Sequence, residues 1–377
     1  MKITFLIRHL NQAGAERQLV TLAKRLHKQG HRVSVAVFYA GGPLETELLE
    51  SGVPVYSLAK KGRWDTLNFM YRLVKLVRRE QPDILHGYLS VSNIFTALIG
   101  MMCPRVRVAW GIRSSNMNLN DYDWLMRVSY RVERWLSKFA DLIIVNSYAG
   151  LDYAVAQGYP SEKMVVIPNG VDTDRFKPDR KAGNRVRREW SITDDQILIG
   201  LVGRIDPMKD HSTFLKAAAL LTREHPNFTF ACIGRSREPY KKMLVNSSEQ
   251  LGLGAGLIWS DARDDMHAVY NALDVLVSSS SYGEGFSNVV SEAMACGVPC
   301  VVTDVGDSAI IVGDHGEVVP PQDAQALKDA IERLLEKSRA NSFEGQTSRQ
   351  RIVDRFSVIE LETRTEAALL RLLKGAA

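Results

Sequence analysis

The chain has 377 residues, of which 45% are hydrophobic and 24% charged, with only four cysteines. Its net charge of +5 is uneven: residues 1–180 hold 25 Lys and Arg against 16 Asp and Glu, whereas the rest holds 23 against 27. These figures exclude a disordered chain and a secreted disulfide framework, and they favour two folded domains in a reducing compartment, the first of them facing an anionic surface.

The N-terminus and the longest apolar run both argue against a targeting or membrane-spanning segment. The apolar part of MKITFLIRH is only as long as one strand, and the stretch near 94–103 is far short of the roughly 20 residues that a spanning helix needs. We therefore expect a cytoplasmic protein.

Short apolar runs alternate with helix-length amphipathic segments in the first half, which is typical of a parallel sheet covered by helices. Helices are predicted between most of the runs, for example over Glu16–Gln29, Leu67–Glu80 and Tyr122–Lys138. The predicted strands are Ile3–Ile7, Val33–Phe38, Val53–Ser57, Ile84–His86, Val106–Gly111, Leu142–Asn146 and Val165–Ile167.

A second series follows the Pro-containing linker 168–178 and the basic stretch 177–188. Two such series predict an α/β protein of two doubly wound, Rossmann-like domains facing across a cleft, with ligands at the carboxyl ends of the strands. We place the domains at 1–175 and 176–357, with a C-terminal helix at 358–377 that is a candidate to return to the first domain. The second set of predicted strands is Leu198–Val202, Thr229–Ile233, Leu257–Trp259, Val275–Ser278 and Cys300–Thr303.

Polar residues follow three strands of the first series. In NQAGAER at 11–17, Gly14 lets a phosphate or sugar approach the backbone closely, although an ordinary tight turn is an equal alternative. His86 ends its predicted strand and is able to touch a ligand there, but a buried structural histidine is equally compatible. Asn146 and the neighbouring Ser147 carry the same ambiguity.

The segment GLVGRIDPMKD at 200–210 places two cations after the first strand of the second series. Arg204 directly follows Gly203, and Lys209 comes just before the next helix. Both side chains are able to converge on a diphosphate leaving group as its charge develops. A surface charge is a credible alternative for Lys209 and a weaker one for Arg204.

The most informative segment is SSSSYGEGFSNVVSEAMACGVPCVVTDV at 278–305. A strand ends in small polar residues, a Gly-Glu-Gly turn follows, and a helix is predicted to begin near Ser287 or Asn288. A helix N-terminus reached through a glycine-bearing turn suits an anionic group. Glu284 in the turn and Glu292 in the helix place two carboxylates on one unit, where one is able to reach a sugar and the other a ribose hydroxyl.

These segments, in this order, resemble the retaining nucleotide-sugar glycosyltransferases of family 4, which have the GT-B architecture and include enzymes of bacterial exopolysaccharide and lipopolysaccharide assembly. The resemblance covers nearly the whole chain and includes PNGVDTDRF at 168–176. It implies an acceptor-side first domain, a donor-binding second domain, and transfer to a glycan or lipid-linked glycan. The implied donor is a nucleotide-diphosphate sugar, most simply a UDP- or GDP-sugar.

Site roles also follow from the resemblance. It implies that Arg204 and Lys209 stabilise the donor diphosphate, that Glu284 contacts the transferred sugar, and that Glu292 contacts the ribose. The leaving phosphate itself is thought to assist deprotonation of the acceptor. The remaining implied donor-binding residues are Gly14, Gly203, Gly285, Phe286, Ser287 and Asn288.

The chain departs from the family pattern at three places. Ala13-Gly14 stands where members often have two glycines, and a glutamate common in the family is absent from residues 304–308. Many members have a histidine after the acceptor-side strand, whereas this chain has Arg113 at the end of Trp110-Gly111-Ile112-Arg113. Arg113 therefore joins His86 and Asn146 as an acceptor-side candidate.

Two Asp-x-Asp patterns carry the spacing that holds a divalent cation in a different glycosyltransferase fold. Asp172 and Asp174 lie in the interdomain segment, and Asp121 and Asp123 lie at a predicted helix start, where aspartate caps the backbone. We interpret both pairs as structural and expect no required metal or other cofactor.

The predicted helix over 122–138 carries a basic face. Arg127, Arg131, Arg134 and Lys138 recur every three or four residues, among aromatic residues. Such a helix is able to rest on an anionic membrane, and a solvated face over a packed core is the alternative.

Two other functions fit parts of this pattern. An epimerase or a phosphorylase of the same fold is one alternative, although the lysine-bound cofactor motif of a phosphorylase is not found. A basic nucleic-acid-binding protein is the non-enzyme alternative, suggested by the pI of about 8.9. It leaves the acidic second half unexplained and has no recognition motif, so we expect no nucleic acid as partner.

Overall fold

A computed structural model describes residues 1–113, 124–236, 238–340 and 345–375. The chain divides into two compact units. Unit 1 comprises Met1–Gly170 and Val358–Ala377, and unit 2 comprises Val171–Ser357. The division after Gly170 falls five residues before the boundary at 175 that we expected.

Unit 1 contains a parallel sheet of seven strands in the order β3-β2-β1-β4-β5-β6-β7. The order reverses between β1 and β4, which is where doubly wound sheets bind ligands. All seven predicted strands are confirmed within two residues at each end. Their bounds are β1 Lys2–Ile7, β2 Arg32–Val37, β3 Val55–Ser57, β4 Ile84–Tyr88, β5 Arg107–Ile112, β6 Leu142–Val145 and β7 Met164–Val166.

Helices cover both faces of this sheet because successive strand residues point to opposite sides. In β1, for example, Phe5 packs into the core beneath one helix layer and Leu6 into the core beneath the other. The helices before the crossover to unit 2 are α1 Gly14–Lys28, α2 Pro43–Glu50, α3 Thr66–Glu80, α4 Ser90–Met102, α5 Trp124–Leu136 and α6 Tyr148–Ala156.

Unit 2 repeats the arrangement with six parallel strands in the order β10-β9-β8-β11-β12-β13. Five of the six strands are those predicted. The sixth, β13, was missed because it is a three-residue edge strand that begins with a glutamate. The bounds are β8 Ile197–Val202, β9 Phe228–Ile233, β10 Leu257–Ser260, β11 Val275–Ser278, β12 Cys300–Thr303 and β13 Glu317–Val319.

The helices of unit 2 include one for which the sequence interpretation predicted no element. The basic stretch 177–188 forms most of α7, whose N-cap Asp179 accepts a hydrogen bond from the Ala182 N–H at 3.0 Å and whose Val186 is buried. The helices are α7 Arg180–Glu189, α8 His211–Glu224, α9 Glu238–Gln250, α10 Met266–Ala272, α11 Asn288–Ala295, α12 Ser308–Val312, α13 Ala324–Arg339 and α14 Gly345–Phe356.

The last helix, α15 Val358–Leu373, belongs to unit 1 although it follows unit 2 in the chain. Leu361 and Leu369 are buried in the unit 1 core. The buried Glu362 pairs with Arg25 of α1, and Glu366 accepts from His31 at 2.7 Å. Across the described ranges, no helix is both long and apolar enough to cross a lipid bilayer.

Candidate active site

Polar segments follow the carboxyl ends of β8 and β11, the two strands between which the unit 2 sheet reverses its order. Gly203 and Arg204 come directly after β8, and residues 279–287 follow β11. The structure therefore brings the two main sequence motifs together at the point where an open parallel sheet binds its ligand.

A close backbone contact shapes the turn after β8. A Cβ on Gly234 would lie 1.9 Å from the carbonyl oxygen of Gly203, so only glycine fits there. Beyond this turn, Arg204 leaves 67% of its side chain exposed, with Nη2 3.1 Å from Asp206 Oδ2. Because the guanidinium itself is exposed, Arg204 is able to turn from the half-buried Asp206 to a stronger anion at little cost.

The turn that carries Lys209 is fixed on both sides. Asp206 accepts from the Lys209 N–H at 3.3 Å, and Asp210 caps α8 by accepting from the Thr213 N–H at 3.1 Å. From the β11 side, the Ser279 hydroxyl donates to the Lys209 carbonyl at 2.9 Å. These bonds hold the lysine backbone in place before any ligand binds.

Lys209 and Glu284 form a buried ion pair between Nζ and Oε1, with 13% and 9% of their side chains exposed. The Ser280 hydroxyl donates to the same carboxylate oxygen at 2.7 Å. Ser280 is itself fixed, because its carbonyl accepts from the Thr303 hydroxyl at 2.6 Å. The charges of both motifs are thus coupled, and removing one partner would leave the other buried without compensation.

The carboxyl group of Glu284 is ionised at neutral pH. Burial would raise its pKa, but the Lys209 ammonium, the Ser280 hydroxyl and the Arg204 charge together hold the pKa below its usual value. An ionised carboxylate only accepts hydrogen bonds, so Glu284 suits a ligand that presents hydroxyl groups.

The loop after β12 supports the backbone between Glu284 and Ser287. Gly306 has a φ of +62°, and a Cβ there would lie 2.5 Å from the Glu284 carbonyl. The Asp307 N–H donates to the Gly285 carbonyl at 3.0 Å. This contact aligns the turn and explains why a glycine stands at 306.

The turn ends at the N-terminus of α11. Phe286 packs against Phe356 at a ring distance of 5.4 Å, which anchors the turn in the core. Ser287 is the N-cap residue, and within the described structure its side chain makes no capping hydrogen bond. The helix begins at Asn288, as predicted, and its first turn directs backbone N–H groups and a partial positive charge outward, which suits a phosphate.

Glu292 lies half-buried on α11 and is oriented by a tyrosine. The Tyr270 hydroxyl donates to Glu292 Oε2 at 2.8 Å. Burial, together with the neighbouring Glu292 carboxylate, raises the pKa of Tyr270 well above its usual value, so the hydroxyl keeps its proton. The Tyr270 hydroxyl therefore fixes the direction of this second carboxylate, whose oxygens are hydrogen-bond acceptors.

The β1–α1 segment belongs to unit 1. Helix α1 begins at Gly14, two residues before the predicted start, and Gly14 is exposed. Gln18, one turn later, donates to the Gly170 carbonyl and accepts from the Gly170 N–H, both at 2.9 Å. This pair ties the start of α1 to the end of the unit's main segment.

The prediction that His86 ends its strand is wrong, because β4 continues to Tyr88. His86 is fully buried, with ring distances of 5.2 Å to Phe5 and 5.0 Å to Tyr88. Burial, and to a lesser extent the Arg113 charge, lowers the pKa of His86 to about 3. The structure thus places a neutral histidine inside the sheet.

Arg113 lies where β5 ends. Its Nη2 donates to the Tyr88 hydroxyl at 2.6 Å and its Nη1 to Asn169 Oδ1 at 3.0 Å, while the guanidinium sits 4.6 Å from the centre of the Tyr88 ring. Asn146 follows β6 and is buried, and its Oδ1 has no hydrogen-bond donor among the described residues. Three strand ends of unit 1 therefore carry polar groups.

Four partners of these residues were missed by sequence reasoning. Ser280 stands in the predicted run of polar residues after β11, but four consecutive serines gave no reason to choose one. Tyr270 lies in an apolar helical pattern, where an aromatic residue signals core packing. Tyr88 and Asn169 sit beyond predicted strand ends and become informative only once their distance from Arg113 is known.

Of the two Asp-x-Asp patterns, the described part of the chain contains the one at Asp172 and Asp174. Asp172 Oδ1 accepts from the Asp174 and Arg175 N–H groups at 3.1 and 3.0 Å, which is a local turn. Asp121 and Asp123 lie outside the described residues. In the described ranges, the group with ligand-like spacing is Glu224, His225 and Glu332, where Lys328 already lies 2.9 Å from both carboxylates.

Two family models match most of the chain, one in each half. The model described as glycosyltransferase family 4 matches residues 13–175, and the model described as glycosyl transferases group 1 matches residues 184–351.

Curated relatives point the same way. The D-inositol 3-phosphate glycosyltransferase of Corynebacterium jeikeium is 34% identical over 269 residues, which are 67% of this chain and 64% of that protein, so this chain spans somewhat less than two thirds of its length. The UDP-Gal:alpha-D-GlcNAc-diphosphoundecaprenol alpha-1,3-galactosyltransferase of Escherichia coli is 24% identical over 76% of this chain and 75% of its own.

The two-unit architecture also has solved counterparts. HepE of Anabaena, crystallised in complex with UDP, superposes with a TM-score of 0.86 over 98% of this chain and 99% of its own, at 23% identity. At that identity the likeness establishes a shared fold, which is the GT-B architecture.

Proposed function

The chain belongs to the family 4 glycosyltransferases, and on that premise we propose that it transfers a sugar, with retention of configuration, from a nucleoside-diphosphate donor to a glycan or lipid-linked glycan. The observation that carries the proposal is the buried Lys209–Glu284 pair, which lies beside the exposed Arg204 at the reversal point of the unit 2 sheet. It combines cations for a diphosphate with an ionised carboxylate for sugar hydroxyls.

Arg204 and Lys209 bind the diphosphate and stabilise the charge that develops as the anomeric C–O bond breaks. Backbone N–H groups at Gly285, Phe286, Ser287 and Asn288 receive the phosphate and sugar oxygens. Glu284 accepts hydrogen bonds from the transferred sugar. Glu292, oriented by Tyr270, accepts from the ribose hydroxyls.

The bond changes need no nucleophile from the protein. The acceptor hydroxyl attacks the anomeric carbon on the face that the diphosphate leaves, and its proton passes to an oxygen of the leaving phosphate. Retention follows because entry and departure use the same face. In this scheme the two cations stabilise the most negative species, the departing diphosphate, and no metal is required.

The donor and the acceptor are proposed from the relatives. HepE was solved with UDP, and the Escherichia coli relative is named for a UDP-sugar donor and a diphosphoundecaprenol acceptor. A UDP-sugar is therefore the first donor to test, with a GDP-sugar second. Unit 1 is the proposed acceptor-binding unit, with Arg113 and Asn146 at its strand ends, and Gly14 at the start of α1 stays a proposed donor-binding residue.

Helix α5 supports a contact of unit 1 with an anionic membrane. Trp124 and Trp135 are 67% and 60% exposed, and the exposed apolar stripe continues through Val128, Val132 and Phe139. Large apolar groups left in water beside arginines are typical of helices that lie in a membrane interface. A merely solvated face would not present two exposed tryptophans on one helix.

Vesicle sedimentation tests this contact. The chain should bind vesicles containing phosphatidylglycerol and not pure phosphatidylcholine, and Trp124→Ser with Trp135→Ser should abolish binding. Leu49→Ser removes an apolar residue of α2 that is 53% exposed and serves as the control. Equal binding of both variants would exclude α5 as the contact.

The donor screen tests the proposed activity. Thermal unfolding and donor hydrolysis are measured with UDP-, GDP- and ADP-sugars in EDTA. We expect one donor to stabilise the chain and lose its sugar slowly. Arg204→Ala should lower turnover by about 10²-fold, whereas Arg223→Ala, at an exposed position of α8, should not change it. A reversible change of the donor sugar without release would support an epimerase, and binding of nucleic acid with no donor effect would support the non-enzyme alternative.

A further inference from the structure

Unit 1 contains a cavity of about 340 Å³ whose lining includes Arg113 but otherwise has been given no ligand above. It opens beside α5, between that helix, the first turn of α4, the end of α6 and the carboxyl end of β5. Its volume lies at the lower end of the range of about 300–1,000 Å³ that small-molecule sites occupy. Much of its lining is apolar or aromatic: Leu89, Val91, Ile112, Met126, Tyr130 and Ala154.

Four arginines also line this cavity, Arg8, Arg113, Arg131 and Arg134. They come from the ends of two strands and from α5. Among the described residues, none of the four lies within ion-pair distance of a carboxylate, and the contacts of Arg113 are to a hydroxyl and an amide. The Nε of Arg113 is buried and has no acceptor in the described part of the chain. Several guanidinium groups without a counter-charge indicate an anionic ligand.

The acidic residue of the lining, Glu133, does not neutralise them. It is buried, and its two oxygens accept from the Ser90 hydroxyl at 2.6 Å and from Asn93 Nδ2 at 2.8 Å. Burial raises the pKa of Glu133 despite these bonds and one from Tyr159. Glu133 thus holds the start of α4 against α5, and the cavity keeps a positive charge.

The first turn of α4 faces the same space. Ser90, Val91 and Ser92 line the cavity, and the N-cap Leu89 has a φ of +71° with no side-chain cap. A leucine in this backbone region is strained, and such strain persists where the surroundings fix a functional conformation. Asn93, also in the lining, is fully buried, and its Oδ1 has no donor among the described residues.

We propose that this cavity binds an amphiphilic phosphate, with the apolar chain in the cavity and the phosphate at the arginines and the first turn of α4. The inference rests on the proposed function, which it deepens: the ligand is the phosphate-linked end of a lipid acceptor. A bare sugar phosphate would leave the apolar lining without contacts, and an uncharged lipid would leave the arginines without a counter-charge.

Calorimetry of the full chain with three small probes tests the site. Decyl phosphate carries both features, glycerol phosphate carries only the anion, and decyl maltoside carries only the chain. We expect decyl phosphate, below its micellar concentration, to bind at least about tenfold more tightly than either comparator. Glycerol phosphate binding as tightly as decyl phosphate would overturn the proposal, since the site would then be a polar phosphate site.

Two pairs of matched variants locate the binding. Gln157→Trp narrows the cavity rim from the exposed end of α6 and should weaken decyl phosphate by about tenfold, whereas Val155→Trp on the same helix, outside the lining, should leave it unchanged. Arg131→Gln and Arg134→Gln should weaken binding, unlike Arg127→Gln. Equal effects within each pair would mean adsorption to the surface and would overturn the site.

Donor stabilisation by a UDP-sugar, measured on the same samples, separates this inference from the proposed function. If the donor binds and decyl phosphate does not, only the cavity assignment fails. If decyl phosphate binds as expected and no donor does, the cavity assignment stands and the proposed transfer reaction fails.

Discussion

The unit 2 site and the unit 1 cavity differ in whether their cationic side chains are neutralised by a carboxylate. In unit 2, Lys209 and Glu284 neutralise each other out of water, and serines and backbone groups fix both. In unit 1, Arg131 and Arg134 are exposed and lack a carboxylate partner among the described residues. A buried pair holds its geometry before a ligand arrives but makes each partner indispensable. Exposed arginines contribute little to stability and remain available for an anion.

The largest effect that sharpens this contrast is expected for Glu284→Gln. The amide keeps the size of the side chain but leaves the Lys209 ammonium buried without its counter-charge. We expect turnover to fall by about 10³-fold and the free energy of unfolding to fall by about 3–5 kcal/mol. Steady-state kinetics and urea unfolding measure the two losses.

A double variant separates these two losses. Lys209→Met with Glu284→Gln removes both charges and should recover most of the stability while activity stays lost. Glu249→Gln, on the exposed side of α9, controls for the substitution itself. Full activity in Glu284→Gln would show that the carboxylate does not touch the sugar.

Arg204→Ala should change the stability little, as expected for substitution of the exposed arginines of unit 1. It should nevertheless lower turnover, as expected for Glu284→Gln. Its side chain is 67% exposed and its pairing with Asp206 is a surface contact, so we expect unfolding to change by less than about 1 kcal/mol. Because the guanidinium is proposed to stabilise the departing diphosphate, turnover should fall by about 10²-fold. A rise in the donor KM alone, with kcat unchanged, would contradict that role.

The architecture was readable from the sequence because buried parallel strands form apolar runs that helices separate. Twelve of thirteen strands were found in this way. Two elements were missed: β13 is too short to show a pattern, and α7 is so basic that its single buried stripe, with Ala182 and Val186, was not recognised as a helix. Composition dominated periodicity there, although the Asp179 cap was a usable signal.

The donor side of the site was also largely accessible, because its residues lie in two segments at strand ends. What could not be predicted is which side chains of the two segments contact each other. Nothing in the spacing of Lys209 and Glu284, which are 75 residues apart, shows that they meet, since that contact depends on β8 and β11 being neighbours in the sheet. His86 shows the opposite error, since a strand end misjudged by two residues moves a side chain from the surface into the core.

Acidification should destabilise the native state through one buried histidine in each unit. Burial lowers the pKa of His86 to about 3, and burial with the Lys209 charge lowers that of His211 to about 4. Unfolded histidine titrates near pH 6.5, so below that pH the unfolded state binds protons that the native state does not. As the pH falls from about 6 to 4.5, each histidine should therefore shift the equilibrium toward the unfolded state by about tenfold per pH unit.

Substitution of each histidine tests whether the two units share this sensitivity. His86→Phe and His211→Leu should each flatten the decline in unfolding free energy between pH 7 and 5, measured by urea titration. The ring nitrogens of both histidines have no hydrogen-bond partner among the described residues, so an apolar replacement breaks no hydrogen bond of either ring there. An unchanged pH dependence in both variants would assign the acid sensitivity to carboxylates such as Glu284 instead.

The smallest effect is expected for Tyr270→Phe, which removes only the hydroxyl that orients Glu292. Glu292 is half-buried and remains solvated on one side, so losing one hydrogen bond should cost about 1 kcal/mol and raise the donor KM by about threefold to tenfold without changing kcat. The split matters because a ribose contact is the same in the ground state and the transition state, whereas contacts to the departing diphosphate are not. Equal losses in kcat and kcat/KM would instead show that Glu292 stabilises the transition state. Unit 2 would then show no contrast between residues that only bind the donor and residues that act on the departing diphosphate.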